Sequence, residues 1–413
     1  MAALPGNLDG TRVLDLTREP GFFAGKLLGD LGADVVKVEP PGGDPARRRP
    51  PFWGGIADPE RSLLWLAMNT SKRGVTLDLA RPRGRALFLE LAARADAVLE
   101  TEPTPGLGWP ELRAQNPRLV HVALTPFGEA GPRAGWRGSD LTVTAMSGNL
   151  YSTGDPDRAP VRCSLPVSYY HGGIEAALGV AFALLARERT GEGQHADVAL
   201  QEAMVMPNIG AAAMFPMTGL RGGRAGAFMR QVNGVAREIW PCKDGFVSFA
   251  LRGGPARVPG LVAMVQYMGE HGMAPEALRT RDWKSHNLNL LGQTEIDELS
   301  GPFAAFFLTK TMAELYEAAC ARNLMLAPIN TAREILASPQ LAARDFLVDV
   351  EYRGRGQLRY PGAFAITTSA DADGTRIGVP RPAPELGEHT GEVLAELGIG
   401  AAEVARLRAE GIV

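Results

Sequence analysis

The chain has 413 residues, 45% of them hydrophobic and 22% charged, which excludes a disordered chain and exceeds what one core ordinarily holds, so two domains or one large discontinuous domain are expected. A formal net charge of −3 offers no general attraction to phosphate backbones or anionic lipid, and neither nucleic acid nor a membrane is expected as a partner. Cys163, Cys242 and Cys320 lie far apart and form no disulfide framework, and no apolar run is long enough to span a bilayer, so the expected location is cytoplasmic.

From Thr11 the pattern alternates between short apolar strands and helical periodicity: a strand over 12–16, a helix over 22–31 and a strand over 35–38. The basic run Arg47-Arg48-Arg49 sits among prolines and reads as a solvated loop. A helix opened by Pro82 runs to Ala95, with strands following at 97–99 and 119–124. Strands joined by helices imply a mostly parallel sheet covered on both faces.

The alanine- and leucine-rich stretch 172–189 reads as a buried helix stopped at Gly191, and 194–200 as the strand after it. The first unit therefore extends to about residue 216. Residues 217–232 are glycine-rich without periodicity and read as a linker. A smaller unit follows over 233–330, with a strand at 245–250, a helix over 312–322, and Gly253-Gly254 read as a plain turn in preference to a mobile glycine loop. Residues 347–364 alternate like strands, and 391–397 and 401–410 read as terminal helices.

Several chemistries have no sequence support. There is no dinucleotide-binding glycine fingerprint, Walker loop, G-x-S-x-G elbow or H-E-x-x-H helix. The histidines, His121, His171, His195, His271, His286 and His389, occur singly without ligand spacing, so no metal is expected.

The segments Leu8–Leu16 and Leu31–Glu39 resemble the first unit of class III CoA-transferases, the family of formyl-CoA and carnitine CoA-transferases and α-methylacyl-CoA racemase. So do Asn69–Arg73, Asn116–Val120, Glu188-Arg189-Thr190-Gly191-Glu192-Gly193-Gln194 and Leu386–Thr390. The resemblance runs in order along nearly the whole chain. It implies a large doubly wound, Rossmann-like α/β domain built from both chain ends, with residues 331–413 returning to it. A smaller middle α/β domain and an interlocked dimer are also implied. The implied activity moves CoA from an acyl-CoA to a carboxylic acid, with the CoA thioester as substrate and no tightly bound cofactor. In that family an aspartate attacks the thioester to form a mixed anhydride, then an enzyme-bound CoA thioester that the acceptor carboxylate resolves.

Here the sequence departs from its family. Tyr169 aligns with the nucleophilic aspartate, in a stretch expected to be the loop that opens the long helix, and no acid lies between Leu165 and Gly173. Glu175 is the nearest carboxylate, but its place inside the expected helix suits a solvent-facing residue better than a replacement nucleophile. The segment Glu100–Gly106 lacks the basic and amide groups that contact CoA in relatives. Lys72, Arg73 and Arg137 remain as CoA-binding candidates, with a solvated pair before a strand as the alternative for the first two.

These features fit the aspartate-lacking subunit of a heteromeric enzyme, paired with a homologous chain that carries the nucleophile. The succinyl-CoA:benzylsuccinate CoA-transferases are similar in this respect, which makes succinyl-CoA the expected donor and an aromatic or dicarboxylic acid the expected acceptor. Three readings stay open: a self-sufficient homodimer with another carboxylate, an acyl-CoA racemase, and a non-catalytic binding or scaffold protein. The racemase reading lacks its acid–base pair, because the matching positions are Ser139 and Tyr169.

Overall fold

In the computed structural model, which describes residues 6–219, 221–369 and 372–413, the chain divides into two units. The larger comprises Met1–Asn149, Cys163–Gly219 and Pro339–Val413; the smaller comprises Leu150–Arg162 and Leu220–Ser338.

The larger unit is built on six strands: β1 (Arg12–Asp15), β2 (Asp34–Glu39), β3 (Lys72–Thr76), β4 (Ala97–Glu100), β5 (Val120–Thr125) and β6 (His195–Ala199). Their order is β3-β2-β1-β4-β5-β6 and every pairing is parallel. This is the expected doubly wound sheet. Its strands read as near-continuous apolar runs because successive residues face opposite cores. Val13 and Val35 belong to one core, and Leu14 and Val36 to the other. The second core also takes Phe88 and Leu91 from the helix Pro82–Ala92 and Val393, Leu394, Val404 and Leu407 from the two terminal helices. The end of the chain thus seals a face that its beginning formed.

The helix Val167–Thr190 covers the other face and stops at Gly191, whose φ of 75° is the left-handed conformation glycine adopts without a Cβ clash. It starts ahead of the expected Gly172, so the stretch carrying Tyr169 is the first turn of the helix and not a loop. The reason lies in another segment. Asp140 Oδ1 accepts hydrogen bonds from Ser168 N (3.0 Å) and Ser168 Oγ (2.8 Å), placing a carboxylate where the first-turn amides lack partners and the helix dipole favours negative charge. Within this helix a Cβ on Gly173 would come 3.0 Å from Phe23 Cβ and 3.2 Å from Ala24 N. The glycine lets the helix lie close against Phe22–Asp30.

One side of the helix is left open. Ile174, Leu178, Phe182 and Leu185, spaced along a single stripe, are 42%, 40%, 65% and 56% exposed. The apolar helix Ile209–Thr218 buries none of its residues. Among the described residues no helix is long and apolar enough to cross a membrane.

The smaller unit has its own core, in which Trp240, Phe249, Phe303 and Phe307 meet at ring-centroid distances of 5.5–5.8 Å. It contains the antiparallel strands β7 (Phe228–Arg230) and β8 (Val235–Arg237), so the stretch read as a linker carries a strand. A three-stranded sheet of β9 (Ile239–Pro241), β10 (Phe246–Phe249) and β11 (Leu326–Pro328) is backed by the helices Val258–Glu270, Gln293–Phe307 and Met312–Arg322.

Candidate active site

In a doubly wound sheet the chain leaves the first strand toward one edge and later returns to its other side, opening a crevice where the strand order reverses. Here that point lies between β1 and β4. A cleft of about 940 Å³ occupies the carboxyl ends of these strands and of β5, with Arg18 after β1, Glu102 after β4, and Thr125, Glu129, Trp136 and Arg137 at and beyond the end of β5.

Arg137 is exposed on this cleft and has no ion pair among the described residues. Trp136, 56% exposed, stands beside it with the Arg133 guanidinium 5.4 Å from its ring centroid. Arg18 is tied back to Asp44 at 3.0 Å and reaches Glu102 at 3.7 Å.

Lys72 and Arg73 lie elsewhere. Lys72 is fully buried, and its ammonium donates to Asp15 Oδ2 (2.8 Å), Phe22 O (2.9 Å) and Asn69 Oδ1 (3.0 Å). Its three protons are therefore taken. Lys37, also buried, lies 3.4 Å from Asp15 Oδ1 and donates to Thr17 O. Burial alone would raise the Asp15 pKa, but the charges of Lys37 and Lys72, with hydrogen bonds from Lys72 and Thr17, bring it down to about 2. Burial, only partly offset by Asp15, lowers Lys72 to about 8. The second ammonium, Lys37, adds to both shifts, lowering Asp15 by attraction and Lys72 by repulsion. A Cβ on Gly25 would fall 2.2 Å from Asp15 Oδ2 and 2.9 Å from Lys72 Nζ, so the adjoining helix can pass over this cluster only with a hydrogen there.

Arg73 is held in a separate network, donating to Asp34 through Nε (2.8 Å) and Nη2 (2.6 Å) and to Glu392 and Glu396 through Nη1 (2.8 Å each). Of the three cations singled out from sequence, the fold brings Arg137 to the cleft and commits the other two to ion pairs.

Tyr169 is half-buried, and its hydroxyl accepts a hydrogen bond from Asp140 N at 3.2 Å. Burial raises its pKa, with the Asp140 N–H opposing and the Glu19 charge adding. Residues 165–173 hold no carboxylate, and Glu175 is exposed on the helix surface. The carboxylates on the cleft are Glu102 and Glu129, neither of which the sequence pattern marked.

Glu129 is not isolated. His195 Nε2 donates to Glu129 Oε2 at 2.5 Å, the Nδ1 atoms of His195 and His121 lie 3.0 Å apart, and His121 Nε2 is 2.9 Å from Glu100 Oε1. The indole of Trp109 stacks on both imidazoles, with centroids 6.0 Å and 6.3 Å away. Histidines that stand singly in sequence are thus paired across β5 and β6, where His121 and His195 are register partners. One Nδ1 must donate to the other, so the pair cannot carry protons on both while this bond stands. The signal available in sequence was weak, since only strand pairing turns a separation of 74 residues into a contact.

The sequence matches CoA-transferase family III over residues 8–390. The chain is similar to the succinyl-CoA:(R)-benzylsuccinate CoA-transferase subunit BbsE of Thauera aromatica, 34% identical over 412 residues and covering 97% of each chain. It is similar to the succinyl-CoA–D-citramalate CoA-transferase of Chloroflexus aurantiacus, 32% identical with 99% of this chain and 98% of that one covered. Among solved structures, a CaiB/BaiF family protein from Brucella suis superimposes with a TM-score of 0.78 at 29% identity, covering 95% of this chain and 100% of that one.

Proposed function

The chain belongs to CoA-transferase family III, and from that premise we propose that it serves as the nucleophile-free subunit of a heteromeric CoA-transferase, beside a homologous chain that carries the aspartate. The observation that carries this reading is Tyr169. The position aligned with the nucleophile holds a phenol whose hydroxyl is engaged by Asp140 N–H, in a turn with no carboxylate. A phenol cannot form the acyl anhydride that keeps the intermediate close in energy to a thioester.

The open apolar stripe of Val167–Thr190 and the uncovered helix Ile209–Thr218 support a permanent partner, since apolar surface of this extent on a chain working alone is costly to leave in water. A homologous chain, in an interlocked pair, is the occupant this reading assigns. The named activities of the relatives support succinyl-CoA as the donor and an aromatic or dicarboxylic acid such as benzylsuccinate as the acceptor. Arg137, exposed beside Trp136 on the cleft, is the proposed contact for a CoA phosphate. Lys72 and Arg73 enter this reading as supports of the fold around that cleft.

The test is mass spectrometry of the complex purified from its source, followed by hydroxylamine trapping during turnover with succinyl-CoA. A co-purifying homologue that alone carries the trapped aspartate is the expected result. A chain that purifies without a homologue and is itself modified overturns the proposal. In that case Glu129, which lines the cleft, is the carboxylate to examine before the solvent-facing Glu175.

A further inference from the structure

The smaller unit contains a second basic cavity that the transferase reading does not use. A pocket of about 520 Å³ is walled by Arg252, Arg257 and Lys284 around the turn Gly253-Gly254. An adjoining pocket of about 220 Å³ is lined by the apolar side chains of Ile239, Phe249, Leu261 and Met325, with Glu238 and Ser248 also in its wall. Arg252 and Arg257 stand in the walls of both.

The cations here are not fully satisfied by the protein. Arg257 is half-buried and has no ion pair or side-chain hydrogen bond among the described residues. Arg252 has Glu238 beside it at 2.6 Å, yet its Nε is buried without an acceptor. Lys284 is exposed at the far wall and forms no salt bridge among the described residues. A half-buried guanidinium without a partner is costly, and a carboxylate matches its fork of donors.

The wall behind is rigidly built. His286, buried, donates from Nε2 to Leu251 O (2.7 Å) and accepts at Nδ1 from Arg281 Nη2 (3.2 Å), which makes it a neutral imidazole. Burial and the Arg281 charge both hold its pKa down. A Cβ on Gly253 would meet His286 O at 1.8 Å, so glycine is required for the turn to rest against this loop.

We propose that these adjoining cavities, which share Arg252 and Arg257 as walls, bind an organic acid with an apolar body, its carboxylate on Arg252 and Arg257 and its apolar group against Ile239, Phe249 and Leu261. The apolar annex distinguishes this ligand from a bare phosphate, whose oxygens would use the arginines and leave the annex empty. The site is lined wholly by residues of the smaller unit, so its residues are the same whichever chain carries the nucleophile.

Isothermal titration of the full chain with 3-phenylpropanoate, propanoate and adenosine 3′,5′-bisphosphate tests it. The expected result is that 3-phenylpropanoate binds at least tenfold more tightly than propanoate, and that Arg257→Met weakens it about tenfold while Arg257→Lys weakens it less. Arg257→Met is expected to melt at the wild-type temperature, since the Arg257 side chain has no partner among the described residues. Arg137→Met is expected to leave 3-phenylpropanoate affinity unchanged. The proposal is overturned if 3-phenylpropanoate does not bind, if Arg257→Met retains full affinity, if the loss falls on the bisphosphate instead, or if Arg137→Met is the variant that abolishes acid binding. Each of these outcomes leaves the trapping result for the transferase complex standing or falling by itself.

Discussion

Beneath β1 and along the cleft beyond β5, the larger unit uses cations in opposite ways. Lys37 and Lys72 are sealed around Asp15, with 0–1% of each side chain exposed, and Lys72 has spent every proton on the protein. Arg137, on the cleft, is exposed with no ion pair among the described residues. Equal charge therefore says little about role. A buried cation without its carboxylate is strongly destabilising and so belongs to the fold, whereas a cation with open donors is available to a ligand.

The hardest test of that contrast is Asp15→Asn, which leaves two buried ammonium groups without their carboxylate. It is expected to cost about 3–5 kcal/mol in urea unfolding. Lys72→Met should cost only about 1 kcal/mol, because Lys37 still serves Asp15. Equal losses from the two variants would break the comparison.

The pH dependence sharpens it. Asp15 is held near 2 against an ordinary 3.8, so its contribution, roughly 2 kcal/mol, is fully present above pH 3.8 and is lost as pH falls toward 2. Lys72 is lowered from 10.5 to about 8, so between these values the unfolded chain binds more protons and this group makes stability rise with pH. Denaturant titrations across both windows should show the acid loss in wild type and in Lys72→Met, and should show the alkaline rise flattened in Lys72→Met alone.

At the cleft the expectation reverses. Arg137→Met should change unfolding free energy by less than about 0.5 kcal/mol while weakening CoA binding about tenfold, roughly 1.4 kcal/mol, as read by titration of the assembled complex. A large stability loss with unchanged CoA affinity would place Arg137 with Lys72 and remove it from the binding role. Tyr169→Phe removes the acceptor for Asp140 N–H and should cost about 1 kcal/mol in the same unfolding assay. If Tyr169 carried catalysis, the phenylalanine variant of the complex would lose turnover as well; the nucleophile-free reading expects turnover to persist.

Much of the fold was legible because its signals are local. The helix Met312–Arg322 lies where its periodicity put it, and Pro82 and Gly191 open and close their helices as their backbone preferences dictate. The start of Val167–Thr190 was not legible, because its cap is a carboxylate 28 residues earlier in the chain. The candidate site was legible in part. That residues 165–173 hold no carboxylate is read directly from the sequence, but Glu129 and its histidine chain are not.

The sequence by itself determined the α/β class and the family, since these depend on residue identity and on patterns within one helix or strand. Tertiary structure alone decided which polar groups are spent and which remain open. Lys72 meets Asp15 across 57 residues and His121 meets His195 across 74. Ion pairs and hydrogen bonds form at about 3 Å, and strand order and register, not distance along the chain, decide which side chains come that close.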